Sequence, residues 1–426
     1  MKFIISALGS AGDVHPMLGL GTRLRKRGHH VTLLASEYFQ DLITEAGIDM
    51  VPVMSTEQFQ DSLRNPDLWH PMRGPLMMLR DFMAAMIRPV YAAVAERYVP
   101  GETVVCAHSL DYGSRIAHEK LGVPLVSVHY APVVIRSTHE SSKLPPMLMG
   151  DRVPRPFKSF QYWLSDVVFV DRLLAGPINE LRRKLSLPPV RRPMHTWAHS
   201  PQLVVCLFPE WFASVQPDWP PHTVQTSFPL WDASDLTPDV PDVAQFLAAG
   251  DPPIVFAPGS ANAQAAGFFR AAVEACRTLG RRGMLLTKFS EQLPQRLPPG
   301  VAHFAYVPFG RILSRAAALV HHGGAGTLSQ GLTAGVPHLV MPMAYDQADN
   351  ADRLRRLGVA RVVRPRQFKG PRVARELQSL LESREVAERC RHWAGKLAGV
   401  DALGQTCDIL ERFAAERPVA APLSEG

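Results

Sequence analysis

The sequence predicts an α/β protein of two domains, each built on a parallel sheet covered on both faces. Three observations carry this expectation. Short, wholly apolar runs alternate with helical stretches along most of the 426 residues, the pattern of strands buried on both faces. The alternation breaks once, at a Pro- and Asp-rich stretch near residues 216–252, and then restarts. Each half opens with a strand and a Gly-Ser turn, although no extended repeat links the halves. Open sheets of this Rossmann-like kind take ligands beyond their C-terminal strand ends, so two parallel sheets facing each other place a substrate in the cleft between them.

The elements follow in order. Lys2–Leu8 reads as the first strand, Gly9-Ser10-Ala11-Gly12-Asp13 as its turn, then a helix to near Gly28 and a second strand at His30–Ala35. Apolar runs at Thr103–Ala107, Pro124–Val128 and Leu203–Leu207 extend the sheet of an N-terminal domain, residues 1–215. Pro217, Pro220, Pro221, Pro229, Pro238 and Pro241 mark residues 216–252 as an interdomain linker. A C-terminal domain, residues 253–416, takes strands at Ile254–Ala257, Met284–Thr287, His303–Tyr306, Ala318–His321 and His338–Met341. Its last helix is expected to pack back on the first domain, and residues 417–426 read as a flexible tail.

Composition narrows the function. Apolar residues at 46% and charged residues at 20% exclude a disordered or fibrous chain. The net charge of +7 is spread along the sequence, which suits an anionic small molecule or peripheral contact with an anionic membrane surface rather than nucleic acid. Five scattered cysteines without a CxxC spacing point to a reducing compartment. The first apolar run is too short for a signal peptide, and Ala316–Tyr345, though free of Asp, Glu, Lys and Arg, is broken by Gly and Pro. The expected location is the cytoplasm, or peripherally the inner face of the inner membrane.

The segment His321-His322-Gly323-Gly324-Ala325-Gly326-Thr327 lies between a strand and a helix. Its glycines admit close backbone approach, free N–H groups at the helix start favour an anion, and Thr327 and His322 add donors, so a diphosphate fits there. It is also what a tight strand-to-helix turn looks like. No Cys or carboxylate completes a metal set around the two histidines, and no Asp-x-Asp motif occurs, so no metal and no cofactor is expected. Asp346 and Gln347, at the next strand's C-terminal end, offer acceptor and donor groups to sugar hydroxyls, while Asp346 also suits a helix N-cap.

His322-x-Gly324-x-Gly326-Thr327, then Gly335-Val336-Pro337, Pro342 and Asp346-Gln347-x-x-Asn350, resemble the donor half of family 1 glycosyltransferases of the GT-B fold. Gly9-Ser10-Ala11-Gly12-Asp13-Val14-x-Pro16 looks like the acceptor-side opening of bacterial antibiotic and lipid glycosyltransferases. His199-Ser200-Pro201-Gln202, Cys206-Leu207-Phe208-Pro209, Trp211-Phe212-Ala213, Asp218-Trp219-Pro220 and Phe228-Pro229-Leu230 are most similar to the rhamnosyltransferases of rhamnolipid biosynthesis. The resemblance implies inverting, metal-independent transfer of L-rhamnose from dTDP-L-rhamnose to the hydroxyl of a 3-(3-hydroxyalkanoyloxy)alkanoate, with an acceptor-synthesising protein as a partner. It also implies Asp13 as the base that takes the acceptor proton, with His15 in reserve; Asp13 equally suits capping of the helix it opens. By the same resemblance Tyr306 stacks on the nucleobase, the Val307 backbone reads its edge, and Ser260 and Thr287 stand near the donor.

For the acceptor, Trp69–Met86 is rich in methionine, and Leu79, Phe82, Met83, Met86 and Val90 share a helical face. With Trp69 and Met77 they form either a pocket for alkyl chains, which flexible thioethers suit, or an ordinary core-facing helix. Arg73, Arg80 and Arg88 are the cations at hand for an acceptor carboxylate. A polyketide antibiotic or a sterol is the alternative acceptor. A nicotinamide-dependent oxidoreductase, with Glu37 on the ribose, competes from another class but has GxxG in place of GxGxxG. A non-catalytic sugar-nucleotide-binding protein would keep the C-terminal motifs without needing Asp13.

Overall fold

The structure, a computed structural model, describes residues 1–416; the tail expected at 417–426 lies outside the described residues. The first sheet holds β1 (Lys2–Ser6), β2 (His30–Ser36), β3 (Asp49–Met54), β4 (Thr103–His108), β5 (Leu125–His129), β6 (Val204–Cys206) and β7 (Thr223–Gln225). Their order is β3-β2-β1-β4-β5-β6-β7, every pair parallel. The second holds β8 (Ile254–Ala257), β9 (Gly283–Leu286), β10 (Val301–Phe304), β11 (Ala318–His321), β12 (His338–Val340) and β13 (Ala360–Val362), in the parallel order β10-β9-β8-β11-β12-β13. In each sheet the first strand lies at the centre and the chain reverses direction beside it, the doubly wound arrangement.

The central strands are apolar on both faces because helices cover both. Phe3, Ile5, Leu33, Val105 and Val126 lie in the first core, and Ile254, Phe256, Leu285, Val320 and Leu339 in the second or its flank. Helix boundaries follow local chemistry. Ser10 and Asp13 form a capping box that starts the helix Ala11–Lys26, and left-handed Gly122, Gly280 and Gly335 end the helices that precede them.

Three strands arise where no strong apolar run marks them. β3 contains Pro52 and starts at Asp49, features tolerated at a sheet edge. β7 lies inside the proline-rich stretch expected to be linker, yet pairs with β6 from Val204↔Thr223 to Cys206↔Gln225. Residues 216–252 are thus not all linker: they also carry the helix Pro241–Ala248. β13 is a three-residue edge strand beside β12.

The domains share two seams. The helix Ala402–Ala415 lies on the helix Ala11–Lys26, burying Leu403, Cys407 and Leu410 in the first core. Arg27 bonds Asp408 at 2.6 Å and Glu411 at 2.8 Å. The other seam is an apolar cluster in which Phe208, Phe212 and Phe228 meet Leu332, Leu354 and Leu397, with Trp211 stacked on Trp393 at 4.6 Å between centroids.

Candidate active site

Strand order places the site. The loops after β1 and β4 emerge side by side where the first sheet reverses, and those after β8 and β11 do the same in the second. These strand ends and the segments that follow them carry Asp13, His108, Ser260 and His322, all lining one continuous cavity of about 1940 Å³ between the domains. Single small-molecule sites usually measure ~300–1,000 Å³, so this volume admits two substrates together.

Asp13 divides its two oxygens. Oδ2 accepts from the Ser10 amide at 2.6 Å and the Ser10 hydroxyl at 3.1 Å, completing the capping box. Oδ1 accepts from the Tyr130 hydroxyl and stands 3.6 Å from His108 Nε2. His108 Nε2 also bonds the Tyr130 oxygen, while its Nδ1 accepts from the Leu110 amide at 3.2 Å. Burial pushes the Asp13 pKa up, but His108, Tyr130 and Ser10 together outweigh it and hold the carboxyl below its ordinary value. Capping and cleft exposure therefore coexist in one side chain, which is 22% exposed. His108 and Tyr130 belong to no motif; the doubly wound strand order, which sets the end of β4 beside that of β1, is the signal that finds His108.

Across the cavity, the helix Ala325–Ala334 begins after Gly324 with no side-chain cap, leaving its first amides open. Ala325, Gly326, Thr327, Gly324, His322 and Ser260 all line the cavity. Gly323 does not; its carbonyl accepts from Asn350 Nδ2 at 2.8 Å and its φ is +100°. The His322 ring is clasped by glycines: a Cβ on Gly324 would meet its Nε2 at 2.6 Å, and one on Gly259 would meet the ring at 3.0 Å. Burial pulls the His322 pKa down to about 4, so the ring is neutral at physiological pH, and its Nδ1 has no partner. The adjacent His321 points the other way, bonding His338 at 3.0 Å in the core. Among the described residues no group of three or more His, Cys, Asp or Glu side chains converges as a metal site.

Asp346 starts the helix Gln347–Arg356 but does not cap it with its side chain. Its Oδ2 accepts from Asn350 Nδ2 at 2.7 Å instead. Burial, and then the charge of Asp13, raise its pKa to about 7. Two cleft carboxyls are thereby pushed to opposite proton affinities. Gln347 uses Oε1 internally, accepting from the Met343 amide at 2.8 Å and the Ala344 amide at 3.2 Å, so only its Nε2 can serve a sugar. Tyr345, immediately before Asp346, holds a left-handed φ of +59° and donates to the Leu68 carbonyl of the other domain at 2.6 Å. A non-glycine residue in that region is strained unless its surroundings hold it.

Tyr306 and Val307 line the cavity with Thr287 and Lys288. The Tyr306 hydroxyl donates to the Asp232 carbonyl at 2.7 Å, and the Lys288 ammonium lies 6.0 Å from its ring centroid. His15 lines the cavity too and packs edge-on against Trp231 at 5.4 Å. Burial draws its pKa down to about 4, with Asp232 opposing and Lys288 adding to the shift.

The acceptor expectations need correction at several residues. Leu79, Phe82 and Met83 line the cavity, but Met77 (8% exposed) and Met86 (4% exposed) do not. The reason is a π-helical segment, Met78–Met83, between Arg73–Met77 and Ala84–Arg97. Its wider turns shift the face that a 3.6-residue period assigns, sending Met86 and Val90 into the core. Trp69 stands on the donor side, edge-on to His322 at 6.1 Å and Tyr345 at 5.9 Å. Arg73, Arg80 and Arg88 face outward, paired with Asp67, Asp81 and Glu180. A second π-helical segment, Asp166–Ala175, supplies Phe169 and Val170 to the same lobe. Among the described residues no helix is long and apolar enough to cross a membrane.

Comparison with known proteins agrees with this geometry. Residues 3–139 match the glycosyltransferase family 28 N-terminal domain, and residues 284–399 match the erythromycin biosynthesis protein CIII-like C-terminal domain. The chain is 28% identical to O-mycaminosyltylonolide 6-deoxyallosyltransferase of Streptomyces fradiae over 99% of both chains. It is 29% identical to vancomycin aglycone glucosyltransferase of Amycolatopsis orientalis, over 84% of this chain and 85% of that one. Among solved structures, the glycotransferase of kitacinnamycin superposes with a TM-score of 0.72 at 21% identity, covering 97% of this chain and 99% of its own. Spinosyn rhamnosyltransferase SpnG with thymidine diphosphate gives 0.68 at 17% identity, covering 96% and 100%. A family 28 glycosyltransferase domain model on the first sheet, an erythromycin biosynthesis CIII-like domain model on the second and relatives aligned over nearly the whole chain support a glycosyltransferase similar to those of antibiotic biosynthesis, and the superpositions show the GT-B fold.

Proposed function

We propose that the protein transfers L-rhamnose from dTDP-L-rhamnose to the hydroxyl of a large apolar acceptor, inverting the anomeric centre in one displacement without a metal. The observation that carries this reading is the facing pair: an ionised Asp13 on one domain, and the open amides of Ala325–Thr327 with Asp346 on the other, in one cavity. An alcohol must lose its proton as the glycosidic bond forms, and Asp13 is the carboxylate held ready to accept it. As the bond to the diphosphate breaks, negative charge grows on the phosphate oxygen, where the helix N-terminus and neutral His322 stabilise it. Asp346 and the Gln347 amide hold the sugar hydroxyls, Tyr306 packs on the nucleobase with the Val307 backbone and Thr287 beside it, and Ser260 adds a hydroxyl near the phosphates. The thymidine diphosphate bound to a spinosyn rhamnosyltransferase of the same fold supports the choice of donor.

Two acceptors are in play, each with its own support. The related transferases named for tylonolide and vancomycin aglycone favour a polyketide or other antibiotic alcohol. The segments at 199–230 and the flexible lining of Leu79, Phe82, Met83 and Met78 favour a 3-(3-hydroxyalkanoyloxy)alkanoate, giving a mono-rhamnolipid. Incubation with dTDP-L-rhamnose and each acceptor in EDTA, followed by mass spectrometry, decides between them. Product from neither acceptor, with donor bound, sinks both acceptors and leaves the fold and donor site standing.

A further inference from the structure

The acceptor lobe carries a polar patch on its inner wall, in a lining that also includes Lys143, Gln161 and His199. Arg136 lines the cavity there, 13% exposed, and donates through Nη1 to Asp166 Oδ1 at 2.7 Å. Asp166 is fully buried and also accepts from Arg192 Nε at 2.9 Å. Asp166 is shared between the two guanidinium groups, Asp171 also accepts from the Arg192 amide at 2.7 Å, and among the described residues Arg136 Nε and Nη2 have no hydrogen-bond partner. Beside it, Arg136 lies over the Tyr162 ring at 5.0 Å. Tyr162 and Tyr112, 4% and 2% exposed, also line the cavity; their buried hydroxyls make no hydrogen bond of normal geometry, with the Ser137 backbone beside that of Tyr162. The positive charge of Arg136 acts on both.

A buried hydroxyl left without a partner costs about 1–3 kcal/mol, so two of them beside a half-satisfied guanidinium call for a ligand group that only accepts. Asp218 and Asp349 also face Tyr162, but each is already bonded, to Ser137 and Thr138 and to Arg353 respectively. A diphosphate has its own place at the helix after Gly324, and the walls around the patch, such as Phe169 and Val170, offer nothing to a sugar. We propose that Arg136, with the hydroxyls of Tyr112 and Tyr162, binds the carboxylate of an amphiphilic acceptor whose alkyl part lies along Leu79, Phe82 and Met83. The inference rests on reading this lobe as the acceptor site. It gives the carboxylate role to a residue far in sequence from Arg73, Arg80 and Arg88, which point outward.

The test is calorimetric binding, without turnover, of 3-(3-hydroxydecanoyloxy)decanoate and its methyl ester to the full chain saturated with dTDP. The acid is expected to bind at least about tenfold more tightly than the ester, as for a lost charged hydrogen bond. Arg136→Gln is expected to abolish that preference, and the fold-sparing Tyr162→Phe and Tyr112→Phe to reduce it several-fold with ester affinity unchanged. Unaltered dTDP binding reports that each variant is folded. Equal binding of acid and ester, binding of neither, or a preference that survives both Arg136→Gln and Tyr162→Phe overturns the proposal. Selective binding of the acid without sugar transfer would instead overturn the transfer reading and leave this site intact.

Discussion

Asp13 and Asp346 face one another with opposite proton affinities, and the consequences can be read separately. Asp13→Asn is expected to lower kcat by about 10²–10⁴, the usual worth of a general base, while dTDP affinity stays unchanged. Loss of dTDP binding along with turnover, or an equal kcat loss in His15→Gln, would count against Asp13 as the base. Asp346 holds its proton more tightly folded than unfolded, so the native state loses stability as pH rises from 3.8 through about 7. Asp346→Asn should therefore raise Tm at pH 8 by on the order of a few °C, leave it unchanged at pH 4, and reduce sugar transfer. An equal Tm shift at both values would show that burial is not what raises this pKa. Because Asp13 contributes to that shift, Asp13→Asn should also move the Asp346 midpoint below 7, observable by carboxyl NMR. The identity of Asp13 as a candidate was legible from its place after the first strand. His108 and Tyr130, which keep it ionised, were not: they come from strand ends far along the chain, and only the sheet order brings them together.

At the scale of elements, the glycine loop and the π-helical segments behave differently under substitution. Gly324→Ala drives a Cβ into His322, so dTDP affinity should fall at least about tenfold, equivalent to 1.4 kcal/mol, whereas Gly326→Ala meets nothing within 4 Å and should leave Tm unchanged or raised. Calorimetry and thermal melts on the pair check this; equal dTDP affinity in Gly324→Ala and the parent would remove the loop from the donor site. Deleting exposed Arg80 should convert the wide turn at Met78–Met83 to ordinary helix and rotate Phe82 and Met83 off the cavity. Acceptor KM should then rise several-fold with donor binding intact. Buried strands such as Ile254–Ala257 and Ala318–His321 were readable because unbroken apolar runs have one solution in a covered sheet. The edge strand Thr223–Gln225 was not, since three half-buried residues among prolines carry no period to detect. The π segments were invisible for a related reason: they contradict the period by which helical faces are read.

For the whole molecule, the two seams bind the domains into one unit of folding. Leu410 is fully buried in the first core although it comes from the last helix, so Leu410→Ala should cost about 2–5 kcal/mol. Denaturation followed by both far-UV circular dichroism and tryptophan fluorescence should show one coincident transition; two separated transitions would mean that the seams are weak. The chain crosses between domains twice, once after Thr223–Gln225 and again before Ala402–Ala415. In connectivity the second domain is nested within the first rather than appended to it. Recombination that respects this nesting exchanges residues 253–397 alone and leaves residues 402–416 with the parent that supplies the first domain. A chimera cut only once, near 253, would pair a first core with a foreign Leu403, Cys407 and Leu410. A lineage that acquires new donors by exchanging its second half must therefore keep two breakpoints, not one.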